Sequence, residues 1–221
     1  MLIEQGSYLY VYVITRDFGF APNPFSGLCT LATCKPKIRA GAIVGDWILG
    51  IGGSDIKVAS RKCIVLMKVT EKISFLEYWG NPTYSRKKPL RNGSLVRLVG
   101  DNIYHKDANG NWIQEDSHHS NPDGTPNLYN LKRDTAISDR VLISNHFLYF
   151  GAAAITVDLQ PIGYQNSIGH KKVDLTESNN GGALIASVFN AYRDKLNMVI
   201  SDPCQFMYSH KRADQQTGKL S

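Results

Sequence analysis

Short, nearly continuous apolar runs alternate along the chain with polar, turn-rich stretches, and the runs are of strand length. Residues 8–16 read YLYVYVITR, β-branched and aromatic without a breaker, and predict an internal strand. Residues 17–27 contain Gly19, Pro22, Pro24 and Gly27 and predict a stiff loop able to present groups in fixed positions. Residues 30–33 predict a short helical turn. After a Gly45-Asp46 turn, residues 47–51 predict a second strand ending at Gly52-Gly53, and residues 63–69 a third. Ser74 followed by Glu77 is a capping box, so a short helix opens there and stops at Asn81-Pro82.

Further strands are expected at residues 95–99, 141–144 and 154–157. Asn109-Gly110, between residues 102–105 and 111–114, is a hairpin signal. Residues 115–134 are polar and predict a long loop, a feature that is usually functional or mobile. Residues 182–195, with Leu184, Val188 and Ala191 on one face and Leu196 just beyond, predict an amphipathic helix. Roughly six strands, two clear helices and no βαβ alternation argue against a doubly wound sheet. The expected architecture is one α+β domain over residues 1–221: a small, partly closed mixed β-barrel with peripheral helices and a long polar insertion.

Composition narrows the class. With 43% hydrophobic positions in 221 residues the chain can bury its own core. No run approaches the ~18 apolar residues of a membrane helix, and the first residues lack a basic segment followed by an apolar one. A cytoplasmic protein with no membrane partner is expected. Cys29, Cys34, Cys63 and Cys204 match no zinc-ribbon spacing, which suits a reduced compartment. The net charge of +6 is uneven: residues 1–100 hold 14 Lys+Arg against 6 Asp+Glu, a surplus of 8, and residues 101–221 hold 11 against 13, a deficit of 2. Charge gathered in one half makes a patch that attracts phosphates.

The candidate chemistry is dispersed. His105, His118, His119, His146 and His170 have no metal-binding spacing, so neither a metal nor a cofactor is expected; hydrogen bonds to phosphate or to a base edge suit them better. Cys34 has Lys35, Lys37 and Arg39 close by, and cationic neighbours make a thiol a better nucleophile. A pair of Cys34 with His105 or His119 would support covalent catalysis, although no spacing places them together. Asp101, Asp107, Asp116 and Asp123 fit either Mg²⁺ binding or turn formation. Gly50-Ile51-Gly52-Gly53 follows a strand without opening a helix, so it is no phosphate loop. Trp47, Trp79, Trp112, Tyr104, Tyr149 and Phe150 offer rings on which a base could stack.

Gly45-Asp46-Trp47-Ile48-Leu49-Gly50, followed by Val65, Val69 and Glu71, resembles the barrel of the PUA-like group in its EVE and YTH branch. Over nearly the whole chain, residues 20–39, 45–53, 100–120, 141–151 and 168–172 resemble the second nucleotide modification-associated domain family. That resemblance implies a role beside DNA base modification or in defence against modified DNA, with DNA or a nucleotide, and proteins of a modification or defence system, as partners. The expected ligand-binding residues are Asn23, Lys35, Arg39, Trp47, Asp101, Asn102, Tyr104, His118, His170 and Lys171. Asp101 and Asn102 would read a base edge, Trp47 or Tyr104 would stack, and Lys35, Arg39 and Lys171 would meet phosphate. Cys34, His105 and His119 are the catalytic candidates. A module that recognises a modified base or nucleotide is the first expectation; an enzyme using a Cys/His or His/Asp site is the alternative.

Overall fold

The computed structural model describes residues 2–165, 169–175, 180–212, 214 and 216–221, so Ile168 of the 168–172 motif lies outside the described residues. In chain order the elements are β1 (Tyr8–Ile14), β2 (Cys29–Leu31), α1 (Pro36–Gly41), β3 (Trp47–Gly52), β4 (Cys63–Lys68), β5 (Glu71–Ser74), α2 (Phe75–Gly80), α3 (Leu95–Leu98), β6 (Tyr104–Lys106), β7 (Trp112–Gln114), α4 (Leu128–Thr135), β8 (Arg140–Ser144), β9 (Phe147–Tyr149), β10 (His170–Asp174), α5 (Gly181–Ala191) and β11 (Met198–Val199).

The large sheet runs β10-β1-β3-β4-β9-β11 and the small one β2-β8-β5, with β6-β7 a separate hairpin. β1 pairs in parallel with β3, and β11 with β9; the other pairs of the large sheet are antiparallel. Two short links, Val69-Thr70 and Asn145-His146, carry the chain between the sheets.

Alternation along β1 shows why its run is apolar on both sides. Leu9 and Val11 enter a core shared with Leu184, Ile185, Val188 and Phe189 of α5. Tyr10, Tyr12 and Ile14 face a second core shared with Leu31 of β2 and Leu142 of β8. The large sheet is thus buried by a helix on one face and by the small sheet on the other, and a strand covered on both faces needs no polar side. This layering replaces the expected barrel: the sheet stays open at β10 and β11, and its faces are covered without closure. A third core, with Phe18, Phe20, Phe75, Tyr78, Ile103 and Tyr104, lies beyond the small sheet.

The capping box forms as its residues dictate: the Ser74 hydroxyl accepts from the Glu77 amide at 3.2 Å, and Glu77 accepts from the Ser74 amide at 2.7 Å. The Asn109-Gly110 hairpin and the helix expected at residues 182–195 are also present, as β6-β7 and α5. Gly52 has a packing role, since a Cβ there would lie 2.1 Å from the Ala59 carbonyl oxygen.

Four expected elements differ. Residues 30–33 are not a helical turn; Thr30 and Leu31 lie in β2, paired with β8. Residues 95–98 form α3 rather than a strand, a short apolar run being readable either way. Residues 154–157 contribute only a bridge between Ile155 and Cys63. The polar stretch at 115–134 ends in helix α4, whose buried residues are Asn130 and Asp134. Among the described residues no helix is long and apolar enough to cross a membrane.

Candidate active site

Cys34 stands on a sharp turn between β2 and α1. Its φ is +56° and that of Lys35 is +42°, two consecutive left-handed residues, neither of them glycine. Such backbone costs of order 1–3 kcal/mol per residue and persists only where the surroundings hold it. Three contacts do so. The Cys34 amide donates to Asp134 Oδ1 at 3.0 Å, Arg39 Nε donates to the Cys34 carbonyl at 2.9 Å, and Pro36 opens α1 with a ring already set for the helix. Arg39, fully buried, also donates from its Nη1 to the carbonyls of Ser138 and Arg140 and from its Nη2 to that of Asp134. It fastens the turn to α4 and β8, and its burial leaves no face for a ligand phosphate.

The turn aims the thiol at a histidine. Cys34 Sγ lies 3.7 Å from His119 Nε2, and His119 Nδ1 lies 3.0 Å from Asp134 Oδ2. Both His119 and Asp134 are essentially inaccessible to solvent. Tyr104 donates its hydroxyl to the same Asp134 Oδ2 at 2.9 Å, and Arg133 donates from Nε to Oδ1 at 2.9 Å. Arg133 Nη2 is 3.6 Å from the sulfur. The side-chain Nδ2 of Asn130, on α4, donates to the His119 carbonyl at 2.8 Å. Arg212 braces the histidine loop from outside, at the Asp116 carboxylate and the Ser120 hydroxyl.

Electrostatics follow from this packing. Burial alone would raise the Cys34 thiol pKa, but Arg133 and His119 outweigh it and leave the thiol lowered. Burial would lower His119; the Cys34 thiolate and the Asp134 carboxylate reverse that and raise it. Burial would also raise Asp134, yet the His119 hydrogen bond and the charges of His119, Arg133 and Arg39 hold it well below the usual carboxylate range. Both shifts favour moving the thiol proton toward the ring, and the carboxylate fixes the ring. Adjacent His118 behaves in the opposite way: burial and the charge of His119 push it down to about 3, so it is neutral.

The sulfur, a ring nitrogen and a carboxylate oxygen of this trio lie within 4.8 Å of one another. The donor set nevertheless suits a proton relay better than an ion. His119 offers one ring nitrogen to the thiol and the other to the carboxylate, while a metal takes a single nitrogen from each imidazole. The Arg133 guanidinium beside both anions would repel a cation.

A cavity of about 190 Å³ opens on this cluster, lined by Cys34, Lys35, His118, His119 and Arg133, with Arg16, Phe18 and Phe20 on its other walls. Of the residues expected from sequence, Cys34, Lys35, His118 and His119 line it, and Tyr104 and Arg39 stand behind it. The others lie elsewhere. Trp47 is wholly enclosed in the core, edge-on to Phe189 at 5.0 Å, with no free face for stacking. His105 stacks on Trp79 at 4.0 Å and contacts Glu115 at 2.7 Å. His170 and Lys171 are on edge strand β10, the lysine bonded to the Gly163 carbonyl at 2.7 Å. Asn23 and Asp101 belong to a sealed polar cluster around Lys87, and Asn102 donates to the Tyr78 carbonyl at 2.7 Å. Asp107 and Asp123 close turns, accepting from Asn109 and Thr125 amides, and Asp116 pairs with Arg212.

Sequence reasoning missed Asp134 and Arg133. The available signal was Asn127, which caps α4 by accepting from the Asn130 amide at 2.9 Å, followed by Leu128 and Leu131 at helical spacing.

No curated protein and no solved structure matched the chain. One family matched, described as Nucleotide modification associated domain 2, over residues 7–210. That span takes in every residue of the Cys34–His119–Asp134 cluster, and the chain belongs to the nucleotide modification associated domain 2 family.

Proposed function

We propose that this protein is a thiol-dependent enzyme acting on a nucleotide or on a substituent of a nucleobase. The observation that carries the reading is the Cys34–His119–Asp134 hydrogen-bond sequence, whose thiol and imidazole line an open cavity with the carboxylate buried behind them. Nucleophile, base and orienting carboxylate in hydrogen-bond sequence are what covalent catalysis needs, whatever the chain order. Family membership suggests a role linked to nucleotide modification, which supports a nucleotide or nucleobase as the substrate of this reading.

The chemistry this geometry suits is acyl or amidine transfer. The Cys34 thiolate attacks an electrophilic carbon, forming a C–S bond. As the bond from that carbon to the leaving nitrogen or oxygen breaks, the His119 imidazolium gives its proton to the leaving atom. Water then attacks the carbon of the thioester, or of the thioimidate in the amidine case, its proton passes to His119, and the thiolate is released. Asp134 keeps Nε2 turned to the sulfur throughout, and Arg133 offsets negative charge that develops beside it.

A second reading is recognition of a modified DNA base without turnover, within a modification or defence system. Its support is the aromatic wall of Phe18 and Phe20, which packs against both histidines at 4.6–5.2 Å. A PUA-like ancestry, suggested by the Gly45–Gly50 stretch, suits either reading.

Mass spectrometry separates them. The protein is incubated with unmodified and base-modified deoxynucleotides and oligonucleotides, beside the Cys34→Ser variant. Product formation, or a substrate-derived mass on Cys34, is expected only with the native thiol. Equal binding by both proteins with no mass change in any substrate would establish the second reading instead.

A further inference from the structure

The cavity beside Cys34 has three cations on its wall, Arg16, Lys35 and Arg133, and neither aspartate nor glutamate. Arg133 is matched from behind by Asp134 at 2.8 Å, and Arg16 donates to the Gly218 carbonyl. Lys35 differs. Among the described residues its ammonium has neither a carboxylate nor a hydrogen-bond partner, and it lies 5.0 Å from the centre of the Tyr12 ring. It is half-buried, and burial lowers its pKa, the Cys34 thiolate opposing this. Wherever the proton between Cys34 and His119 sits, that pair adds no net charge, and Arg16, Lys35 and Arg133 against Asp134 leave the wall and its backing a surplus of two positive charges. A partly desolvated cation facing a cavity without a counter-charge is a poor structural element and a good ligand-binding one. At about 190 Å³ the space is smaller than the usual drug-sized pocket of about 300–1,000 Å³, so its occupant is compact.

We infer that Lys35 and Arg16 form an anion subsite beside the thiol, which holds a phosphate or carboxylate group of the substrate while Cys34 attacks a neighbouring carbon. The inference rests on the thiol-enzyme reading and narrows its substrate to one that is anionic close to the reacting centre. Lys35 supplies a point charge and Arg16 a planar fork for paired oxygens. His118, neutral at the cavity wall, adds no charge to this subsite.

Two alkylating agents of similar size test this without a known substrate. Iodoacetate is anionic and iodoacetamide neutral, and both form the same kind of thioether. The ratio of their rate constants at Cys34 is divided by the ratio on free cysteine. Because both reagents meet the same thiol, any change in its ionisation cancels. The expected normalised ratio for the native protein is about tenfold or more in favour of iodoacetate, the scale of charge focusing in a cleft. It should fall at least threefold in Lys35→Asn, a residue that tolerates left-handed backbone, and also in Arg16→Gln. Protection of Cys34 from iodoacetamide by inorganic phosphate or by acetate then assigns the anion to a phosphate or a carboxylate. A normalised ratio near one with fast iodoacetamide alkylation would overturn the subsite and leave the thiol nucleophile standing. Iodoacetamide alkylation at pH 7 no faster than that of free cysteine would instead remove the nucleophile reading on which the subsite depends.

Discussion

Two of the buried polar clusters among the described residues make a contrast: one opens on a cavity and the other is sealed. In the open cluster, Cys34, His119 and Arg133 line the cavity and meet Asp134 behind its wall. In the sealed one, the Lys87 ammonium donates to the Asn23 carbonyl, the Asn23 side chain and the Leu28 carbonyl at 2.8–2.9 Å. Asp101 there accepts from Thr30 at 2.6 Å and from Tyr78 at 2.8 Å. Lys87 has spent its three donors on protein oxygens, and none of these residues lines the cavity at Cys34. Burial and perturbed ionisation are common to both clusters, so neither marks a site. What sets the open cluster apart is a strained turn that brings a thiol to the cavity wall. The sealed cluster ties the loop at residues 23–30 to the segment at 78–101 and acts on stability.

The largest effect that would break this contrast is on turnover. Cys34→Ser keeps the shape of the turn and removes the thiolate, so activity on a nucleotide substrate should drop by about 10⁴-fold or more, with the urea midpoint little changed. His119→Ala should be similarly inactive. The sealed cluster should respond the other way. Lys87→Met leaves Asp101 buried without its opposing charge and should cost about 3–5 kcal/mol in urea denaturation, while the folded fraction keeps native alkylation rates at Cys34. Loss of Cys34 reactivity in folded Lys87→Met protein would show that the two clusters are coupled.

The same contrast explains what was legible in the sequence. The strands were readable because β1, β3 and β4 are covered on both faces and their runs are apolar throughout. Ser74 and Glu77 announced α2 because a capping box is a local matter. Helix α4 offered hydrophobic periodicity only the pair Leu128 and Leu131, for a physical reason: it turns Asn130 and Asp134 inward and leaves Leu128 and Tyr129 exposed. A helix that buries its polar face gives the opposite signal from the one being sought, and Asp134 went unseen with it. Cys34, Lys35, His118 and His119 were recognisable as chemistry-bearing types, but their meeting depends on chain separations of up to 100 residues, as between Cys34 and Asp134. Asn23, Asp101 and Trp47 stood out because they lie in the stretches that carry the family resemblance, and they are buried, Trp47 in the core and Asn23 and Asp101 in the sealed polar cluster.

A smaller effect sharpens the comparison through acid stability, because each region contains one group of opposite sense. Burial raises Asp101 to about 6, with Lys87 opposing the rise. Its folded form therefore holds a proton that the unfolded chain loses near pH 4, and stability from this group falls as pH rises from about 4 to about 6. His118 at the open cluster is lowered to about 3, so the unfolded chain binds a proton that the folded one refuses. Stability from His118 rises with pH between about 3 and 6.5. The two slopes oppose each other between pH 4 and 6. Asp101→Asn should make the stability curve climb more steeply with pH there, and His118→Phe should make it climb less or fall. Urea midpoints of both variants at half-unit pH steps provide the check. Parallel curves for the two variants would mean that one of these groups is not buried as described.

The smallest expected effect belongs to a histidine in neither cluster. His105 lies flat on Trp79 and pairs with Glu115 at a partly exposed edge, on the opposite strand of the hairpin from Trp112. A hydrogen-bonded side-chain pair so placed contributes little, about 0–1 kcal/mol. His105→Gln should therefore lower stability by less than about 1 kcal/mol and leave iodoacetamide alkylation of Cys34 at the native rate. His105 and His119 were equal candidates by residue type. The difference is that α4 supplies His119 with a buried carboxylate behind the ring and the β2–α1 turn supplies a thiol in front of it, while His105 has a carboxylate and no nucleophile. A His105→Gln variant that lost Cys34 reactivity as fully as His119→Ala would show that orientation of the imidazole by α4 is not what activates the thiol.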